Sequence, residues 1–437
     1  MTDTELELPK GWVKQAFDLC ISNIIGGDWG NPVKEEIDND FVKVQVLRST
    51  ELKNWKTEKG STAESRIIKK SSLEKRQLHN GDIILEVSGG GTKFPVGRSV
   101  LIKTSITDNF SVPIICSNFF RKITLSEFLD PMYASNFLDY YYYSGETIKF
   151  KNQSVNIQNL KTKEYLSALS ITIPPLNEQK RIVSKIEELF SKIDSTKQSL
   201  EETKLQLELY RQSLFKFLFN RTTNFVTLEE CAKIGSGGTP SRQKPEYYGG
   251  DIPWVKTTEV QNSYIQSTSE KITDLGLKNS SAKIYPKNSV ILAMYGEGKT
   301  RGKCAILNIN ASTNQACAVI TCNNKKLLFK FCFYWFQSQY DQMRLKSSGG
   351  NQPNLNLGII KKTKIPLPSL EEQEQIVSLV EQGFSLIQNT TQIVNSTLQK
   401  LQTMKMSILK QAFEGKLVPQ DPKDEPDSVL LEKIKAK

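Results

Sequence analysis

Histidine is almost missing from this chain, with one residue, His79, in 437. Zinc sites of the usual kind and Ser-His or Cys-His triads need imidazoles, so their near absence excludes both as the working chemistry. His79 itself reads as a surface residue before the turn Asn80-Gly81. The seven cysteines form no CxxC pair, and the closest two, Cys317 and Cys322, fall in a run that reads as strand. An odd number without metal spacing suits free thiols in a reducing cytoplasm. No apolar run reaches the ~18 residues that a membrane helix needs. The start, MTDTELELPKGW, is too polar for a signal peptide. The expectation is a cytoplasmic protein with no membrane partner.

What the chain does have is positive charge. Lys plus Arg outnumber Asp plus Glu by 58 to 47, a net charge of +11 and a pI near 9.1. Such a balance favours an anionic partner, and nucleic acid is the usual one. Hydrophobic residues make up 38%, enough for packed cores, and the length allows about three domains of roughly 150 residues.

An internal repeat organises the chain. Ile171-Thr-Ile-Pro-Pro-Leu-Asn-Glu-Gln179 matches Ile365-Pro-Leu-Pro-Ser-Leu-Glu-Glu-Gln373, an offset of 194 residues from Glu178 to Glu372. Held without a gap from 178 to 219, that offset gives 16 identities in 42 positions. In the first copy Ile182, Ile186, Leu189, Ile193, Thr196, Leu200, Thr203, Leu207, Tyr210, Leu214 and Phe217 alternate four and three apart. The second copy places Ile376, Val380, Gly383, Ile387, Thr390, Val394, Thr397, Leu401, Met404, Ile408 and Gln411 on the same positions. A seven-residue repeat predicts a left-handed coiled coil, and each long seam needs a long partner, for which the other helix is the obvious candidate. The threonines in mid-seam cost stability and suit a role in register. Pro174-Pro175 and Pro366/Pro368 stand before the helices, and Gly415 follows the second.

The expected division is therefore a first head at 1–165, a helix at 171–220, a second head at 223–364, a second helix at 365–415 and a strap at 416–437. Within the strap, Asp427 to Ile434 reads as one short amphipathic helix. The fold class is α+β, two mixed α/β heads with two long helices in a pseudo-two-fold tandem repeat. Gly81-Asp-Ile-Ile-Leu-Glu-Val87 and Ser289-Val-Ile-Leu-Ala-Met-Tyr295 read as equivalent buried strands, each entering a glycine-rich loop. The heads otherwise match far less well than the helices.

Three motifs suggest catalysis and fail on context. Ala293 to Thr300 (AMYGEGKT) fits a relaxed P-loop, but the residues after Thr300 read as strand, whereas phosphate binding there needs a helix N-terminus. Asp130-Pro-Met-Tyr133 lacks the second proline of the amino-methyltransferase motif and reads as a helix start. Glu178-Gln-Lys180 reads as solvated charge in the first turn of a helix rather than a nuclease pair. A methyltransferase or ATPase carried on this chain is the rival hypothesis, and a coiled-coil scaffold without sequence preference is a third.

The same loops suit DNA. Glycines let the backbone approach while Lys93 and Arg98 in the first head, and Lys299, Arg301 and Lys303 in the second, meet phosphates or guanine edges. Thr239, Ser241, Arg242, Lys244 and Tyr247 follow a flexible Gly-Ser-Gly-Gly run from Gly235. Lys151-Asn152-Gln153 and Asn351-Gln352 with Asn354 occupy matching places before each helix, with Asn and Gln suited to adenine.

These elements together resemble the specificity subunits of type I restriction–modification systems. The resemblance rests on Gly-Gly-Thr-Pro-Ser-Arg242 followed by Tyr-Tyr-Gly-Gly-Asp-Ile-Pro-Trp254, on Gly350-Asn-Gln-Pro-Asn-Leu-Asn356 leading to the repeat, and on the ending Ala412-Phe-Glu-Gly-Lys-Leu-Val-Pro-Gln420. In the first head Gly26-Gly-Asp-Trp-Gly30 stands where the Gly-Gly-Thr-Pro element would be. The resemblance implies two target-recognition domains held apart by two antiparallel helices, binding double-stranded DNA and two methyltransferase subunits. In restriction complexes two translocase–nuclease subunits would join. S-adenosylmethionine would sit on the methyltransferases and ATP with magnesium on the nuclease subunits, leaving no catalytic residue, cofactor or metal here. A helix of about 42 residues spans roughly 63 Å, under two turns of B-DNA. Two unlike readers on it would give an interrupted, asymmetric site.

Overall fold

Four strands frame each head, and they pair in the same order and register in both. In the first head the order is Ile21–Gly26, Phe120–Leu125, Ile83–Glu86, Ser99–Leu101. In the second it is Ala232–Ser236, Cys317–Cys322, Val290–Ala293, Cys304–Leu307, with Tyr264–Ile265 added at the edge. Phe120 faces Glu86 as Cys317 faces Ala293, and Ile83 faces Leu101 as Val290 faces Ile306. The two apolar runs expected to be equivalent strands thus are. Every position of the two strands except Glu86 is apolar, and in the second head both faces are covered: Val290 and Leu292 enter one core, Ile291 and Ala293 another. A smaller sheet sits beside each frame. Phe41–Leu47 runs antiparallel to Glu64–Lys69 and parallel to Ile114–Cys116, and Tyr248–Val255 runs antiparallel to Lys271–Ile272 and parallel to Ser312–Thr313.

The computed structural model describes residues 8–89, 94–154, 157–220, 224–296, 299–345 and 354–435. The chain divides into two compact units, Met1–Ser199 with Thr397–Lys437, and Leu200–Ser396. Each unit holds one head and one half of each long helix. The helices run Leu176–Phe219 and Leu370–Phe413, 44 residues each. Within each unit they pair antiparallel, the start of one against the end of the other. In the first, Lys405 Nζ lies 2.6 Å from Asp194. In the second, Leu214 fills the hole left by Gly383, whose Cβ would stand 2.4 Å from Leu214 Cδ2.

Seam residues Ile186, Ile193, Val380, Val394, Leu401 and Ile408 are buried, and Leu200, Leu207, Leu214 and Ile387 half-buried. The strict heptad does not reach the helix ends. Tyr210, Phe217 and Met404 are 44%, 58% and 49% exposed, and Gln411 is exposed too. The buried stripe moves one residue on, to Arg211, Phe215 and Leu218 in one helix and Lys405, Leu409 and Ala412 in the other. An α-helix drifts about 20° per heptad from a 3.5 period, and both helices take up that drift at equivalent places. There they leave the seam and join the head: Phe219 packs on Phe331 at 5.3 Å between ring centroids, and Phe413 on Tyr133 at 5.3 Å and Phe137 at 5.4 Å.

The repeated glutamine has a clear role. Gln179 Nε2 donates to the carbonyls of Phe128 and Pro174, both at 2.9 Å, and its Oε1 accepts from Asp130 N at 2.7 Å. Gln373 does the same with Lys326, Pro368 and Leu328 at 2.9, 3.0 and 2.9 Å. Each is fully buried and ties head to helix. Glu178 corrects the expectation of solvated charge. It is 1% exposed and accepts from Trp12 Nε1 at 3.1 Å, whereas Glu372, its repeat partner, is exposed and caps Ser369. Burial pushes the Glu178 carboxyl above its usual range. Asp130 caps the helix Pro131–Tyr143, so the Asp-Pro-Met-Tyr run is a helix start. The strap ends in the helix Asp427–Lys435 and is held by Asp424 on Arg181, at 2.6 and 3.0 Å. None of the seven cysteines forms a disulfide, and no helix among the described residues is long and apolar enough to cross a membrane.

Candidate nucleic-acid interface

Each head presents a rim made of four chain segments stitched by backbone hydrogen bonds. In the second head Gly238 N donates to Thr313 O (2.9 Å), Met294 N to Ala316 O (2.9 Å) and Leu355 N to Met294 O (3.1 Å). In the first, Asp28 N donates to Cys116 O (2.9 Å), Val87 N to Phe119 O (2.8 Å) and Leu160 N to Val87 O (2.8 Å). Gly27 and Gly237 are required there. A Cβ on Gly27 would lie 2.1 Å from Ser117 O, and on Gly237 1.8 Å from Thr313 O, both rigid backbone. The Gly26-Gly-Asp-Trp-Gly30 run therefore does hold the place of the Gly-Gly-Thr-Pro element.

This frame locates the expected contact residues. Thr239 hydrogen-bonds Gln315 across the rim, and Ser241, Arg242 and Lys244 are exposed beside it. Lys244 Nζ donates to the hydroxyl of buried Tyr247 at 3.1 Å and lies 5.2 Å from its ring centre, and that partner raises the lysine's pKa. Trp254 Nε1 donates to Gly238 O at 3.0 Å and fixes the turn from below. Lys299 to Gly302 form a turn that runs into the strand Cys304–Leu307, so no helix N-terminus follows Lys299 and Thr300 and the P-loop geometry is missing. Tyr340 Oη donates to Lys299 O (2.7 Å) and Arg344 to Arg301 O (3.1 Å), anchoring that loop. Lys299 stays exposed, and Lys303 donates to Gln261. Asn354 lies half-buried at the rim.

Two expectations change. Arg98 gives Nε and Nη2 to the fully buried Glu86, at 2.8 and 2.6 Å, with 12% of its side chain exposed. A carboxylate at zero exposure needs that counter-charge, so Arg98 leaves the contact set. Lys151 and Asn152 lie on the strand Lys151–Ser154, with Gln153, but they are not the counterpart of the later Asn-Gln run. The match of Leu160 with Leu355 makes Asn159 the equivalent of Asn354, and Ser88 Oγ donates to Asn159 Oδ1 at 2.7 Å. Lys93, Asn351 and Gln352 lie outside the described residues.

The rim also shows residues that sequence reasoning missed. In the first head, Trp29, Arg48, Ser49, Thr50, Ser117, Asn118 and Phe119 line a cleft of about 440 Å³. Asn118 and Gln315 are exposed amides at the same rim position. Lining up Gly27 with Gly237 and reading onward would have pointed to Trp29; nothing local marks Asn118.

The comparisons agree with this architecture. The model of the "Type I restriction modification DNA specificity domain" family matches residues 31–205 and again 220–401. The EcoBI specificity subunit of Escherichia coli is 29% identical over 66% of this chain and 68% of its own length. The EcoKI specificity subunit of E. coli K12 is 23% identical over 98% of this chain and 96% of its own. Among solved structures, the HsdS subunit of Thermoanaerobacter tengcongensis aligns with a TM-score of 0.64 at 18% identity, over 95% of this chain and 100% of its own. A chain from a structure titled for complex assembly and conformational transition of the type I R-M system reaches 0.70 at 18%, over 94% and 99%. With two matches spanning both heads and most of both helices, the chain belongs to the type I restriction–modification specificity family, as a tandem DNA-reading subunit rather than a catalytic one.

Proposed function

We propose that each rim reads one half of a split, asymmetric DNA target and that the two long helices set the distance between the halves. The observation that carries this reading is the pair of rims, alike in backbone and unlike in side chains. In the first head Lys93, Lys151, Asn152 and Gln153 contribute. In the second, Thr239, Ser241, Arg242, Lys244 and Tyr247 join Lys299, Arg301, Lys303 and the Asn351-Gln352…Asn354 run. The heads correspond to 1–165 and 223–364. The helices dock two methyltransferase subunits, which hold S-adenosylmethionine and methylate the DNA. In restriction complexes two translocase–nuclease subunits join with ATP and magnesium, in the cytoplasm. Linkage of two readers raises the effective concentration of the second once the first is bound.

The test is expression with the methyltransferase subunits and genome-wide mapping of methylated bases. One interrupted motif with unlike halves is expected. A continuous motif, or methylation without sequence preference, would reject the reading.

A further inference from the structure

The two heads share a charge constellation that no stretch of sequence reveals. Glu64 lies opposite Val46 across an antiparallel pair, and Trp254 N donates to the carbonyl of Glu270 at 3.1 Å. Val46 and Trp254 occupy the same place, since Val46-Leu47 pairs in parallel with Ile115-Cys116 and Trp254-Val255 with Ser312-Thr313. Glu64 and Glu270 are therefore equivalent. Each bridges two cations. Glu64 lies 3.0 Å from Arg48 and 3.9 Å from Arg66, and Glu270 lies 3.2 Å from Lys256 and pairs with Arg242, whose Nη2 is at 3.1 Å.

The inner cations match as well. Arg48 and Lys256 each follow the strand directly, and each has its N–H capped by a glutamate three residues on, Glu51 at 2.6 Å and Glu259 at 2.8 Å. The outer cation of each set lies over an indole. Arg66 stands 4.2 Å from the Trp29 ring centre; Arg242 stands 5.1 Å from Trp254 and 4.4 Å from Tyr248. The routes differ, because Arg66 is on the strand of Glu64 whereas Arg242 comes from the Gly-Gly-Thr-Pro turn. The same chemistry is reached twice on different residues.

With the glutamates that cap Arg48 and Lys256, each place holds two cations and two carboxylates, so what marks Arg66 and Arg242 is how they are held and not a surplus of charge. A ring holds each guanidinium; Glu270 also takes the Nη1 and Nη2 edge of Arg242, so its remaining donors point in a set direction, whereas Glu64, at 3.9 Å, reaches Arg66 as an ion pair beyond hydrogen-bond distance. A point charge is enough for a phosphate, as lysine shows; a guanine edge, with O6 and N7 side by side, takes two donors held in one plane. We propose that Arg66 and Arg242 are specificity-determining residues, each reading a guanine in its own half-target, with Glu64 and Glu270 as positioning residues. This rests on the two-reader function above.

The test uses the full chain assembled with its methyltransferase subunits and compares methylation maps of wild type, Arg66→Lys, Arg242→Lys, Glu64→Gln and Glu270→Gln. Lysine keeps the charge and loses the fork. Arg66→Lys should raise methylation about tenfold or more at sites altered at one guanine of one half, and Arg242→Lys likewise in the other half only. Glu64→Gln and Glu270→Gln should relax the same two positions. A uniform loss with an unchanged motif would mean a phosphate or purely structural role and overturns the proposal, as does no change at all. Arg242 is 53% exposed, so its lysine variant tests the idea even if the Arg66 variant fails to fold. An interrupted wild-type motif with these outcomes sinks only this inference; a wild type without one sinks the two-reader function with it.

Discussion

Arg211 lies over the Phe384 ring at 4.9 Å, and at the equivalent place in the other unit Lys405 lies over Phe190 at the same distance. Each cation stands where the buried stripe leaves the heptad, so its stem covers apolar surface while its head meets a ring face. Arg211→Ala and Lys405→Ala should each cost about 0.5–1 kcal/mol, the range for partly exposed cation–π pairs. Sharing no partner, the two losses should add. Urea midpoints of the single and double variants check this; a double variant no weaker than either single would contradict it.

Gln179 and Gln373 each satisfy three backbone groups from full burial. Alanine leaves those groups unpaired, and an unsatisfied buried group costs about 1–3 kcal/mol. Gln179→Ala and Gln373→Ala should therefore each lose roughly 2–4 kcal/mol. Glutamate should be worse than alanine in each case, because a carboxylate would face two carbonyls. Thermal unfolding of the three forms at each site gives the order.

The helices were legible because a seam needs only local spacing, and the repeated glutamine because both copies print it. The stripe's shift at Arg211 and Lys405 was not, since it depends on where each helix leaves its partner for the head. Glu178 looked like its exposed partner Glu372 until Trp12, 166 residues away, closed over it. The buried strands of the heads were legible because their runs are apolar except at Glu86, which Arg98 neutralises. Asn118 and Gln315 were not, because a rim assembled from four distant segments has no period to read.

Glu178 also sets a pH dependence. Burial raises its pKa in the folded state, and the Asp424 carboxylate adds to this. A carboxyl raised on folding binds its proton more tightly in the native chain, so its contribution falls as pH rises through that pKa. Asp424 works the opposite way: the hydrogen bond from Arg181 depresses its pKa, and its stabilisation is lost as pH falls. Glu178→Gln should therefore raise the unfolding midpoint at pH 7, with the gain shrinking as pH approaches the ordinary carboxylate range. A gain that grows towards acid would refute this.

Lys299 and Arg301 stand in the anchored turn of the second rim. If both meet phosphates, Lys299→Ala with Arg301→Ala should weaken DNA binding and flatten its salt dependence. Each phosphate no longer neutralised should lower the log–log slope by up to about 0.9. Titrations of the assembled complex across a salt series measure this, and an unchanged slope would remove the turn from the interface.

The last prediction concerns the helices as a ruler. Deleting Gln198–Lys204 takes out one heptad and keeps the seam in phase, but antiparallel pairing within each unit leaves seven residues of the other helix unmatched. The equivalent deletion, Gln392–Leu398, removes them. The paired deletion should keep both half-motifs and shorten the gap between them, since seven residues of helix span about 10 Å, or about three base pairs at 3.4 Å each. Methylation mapping reads the gap directly. An unchanged gap would show that the helices hold the heads without measuring the DNA.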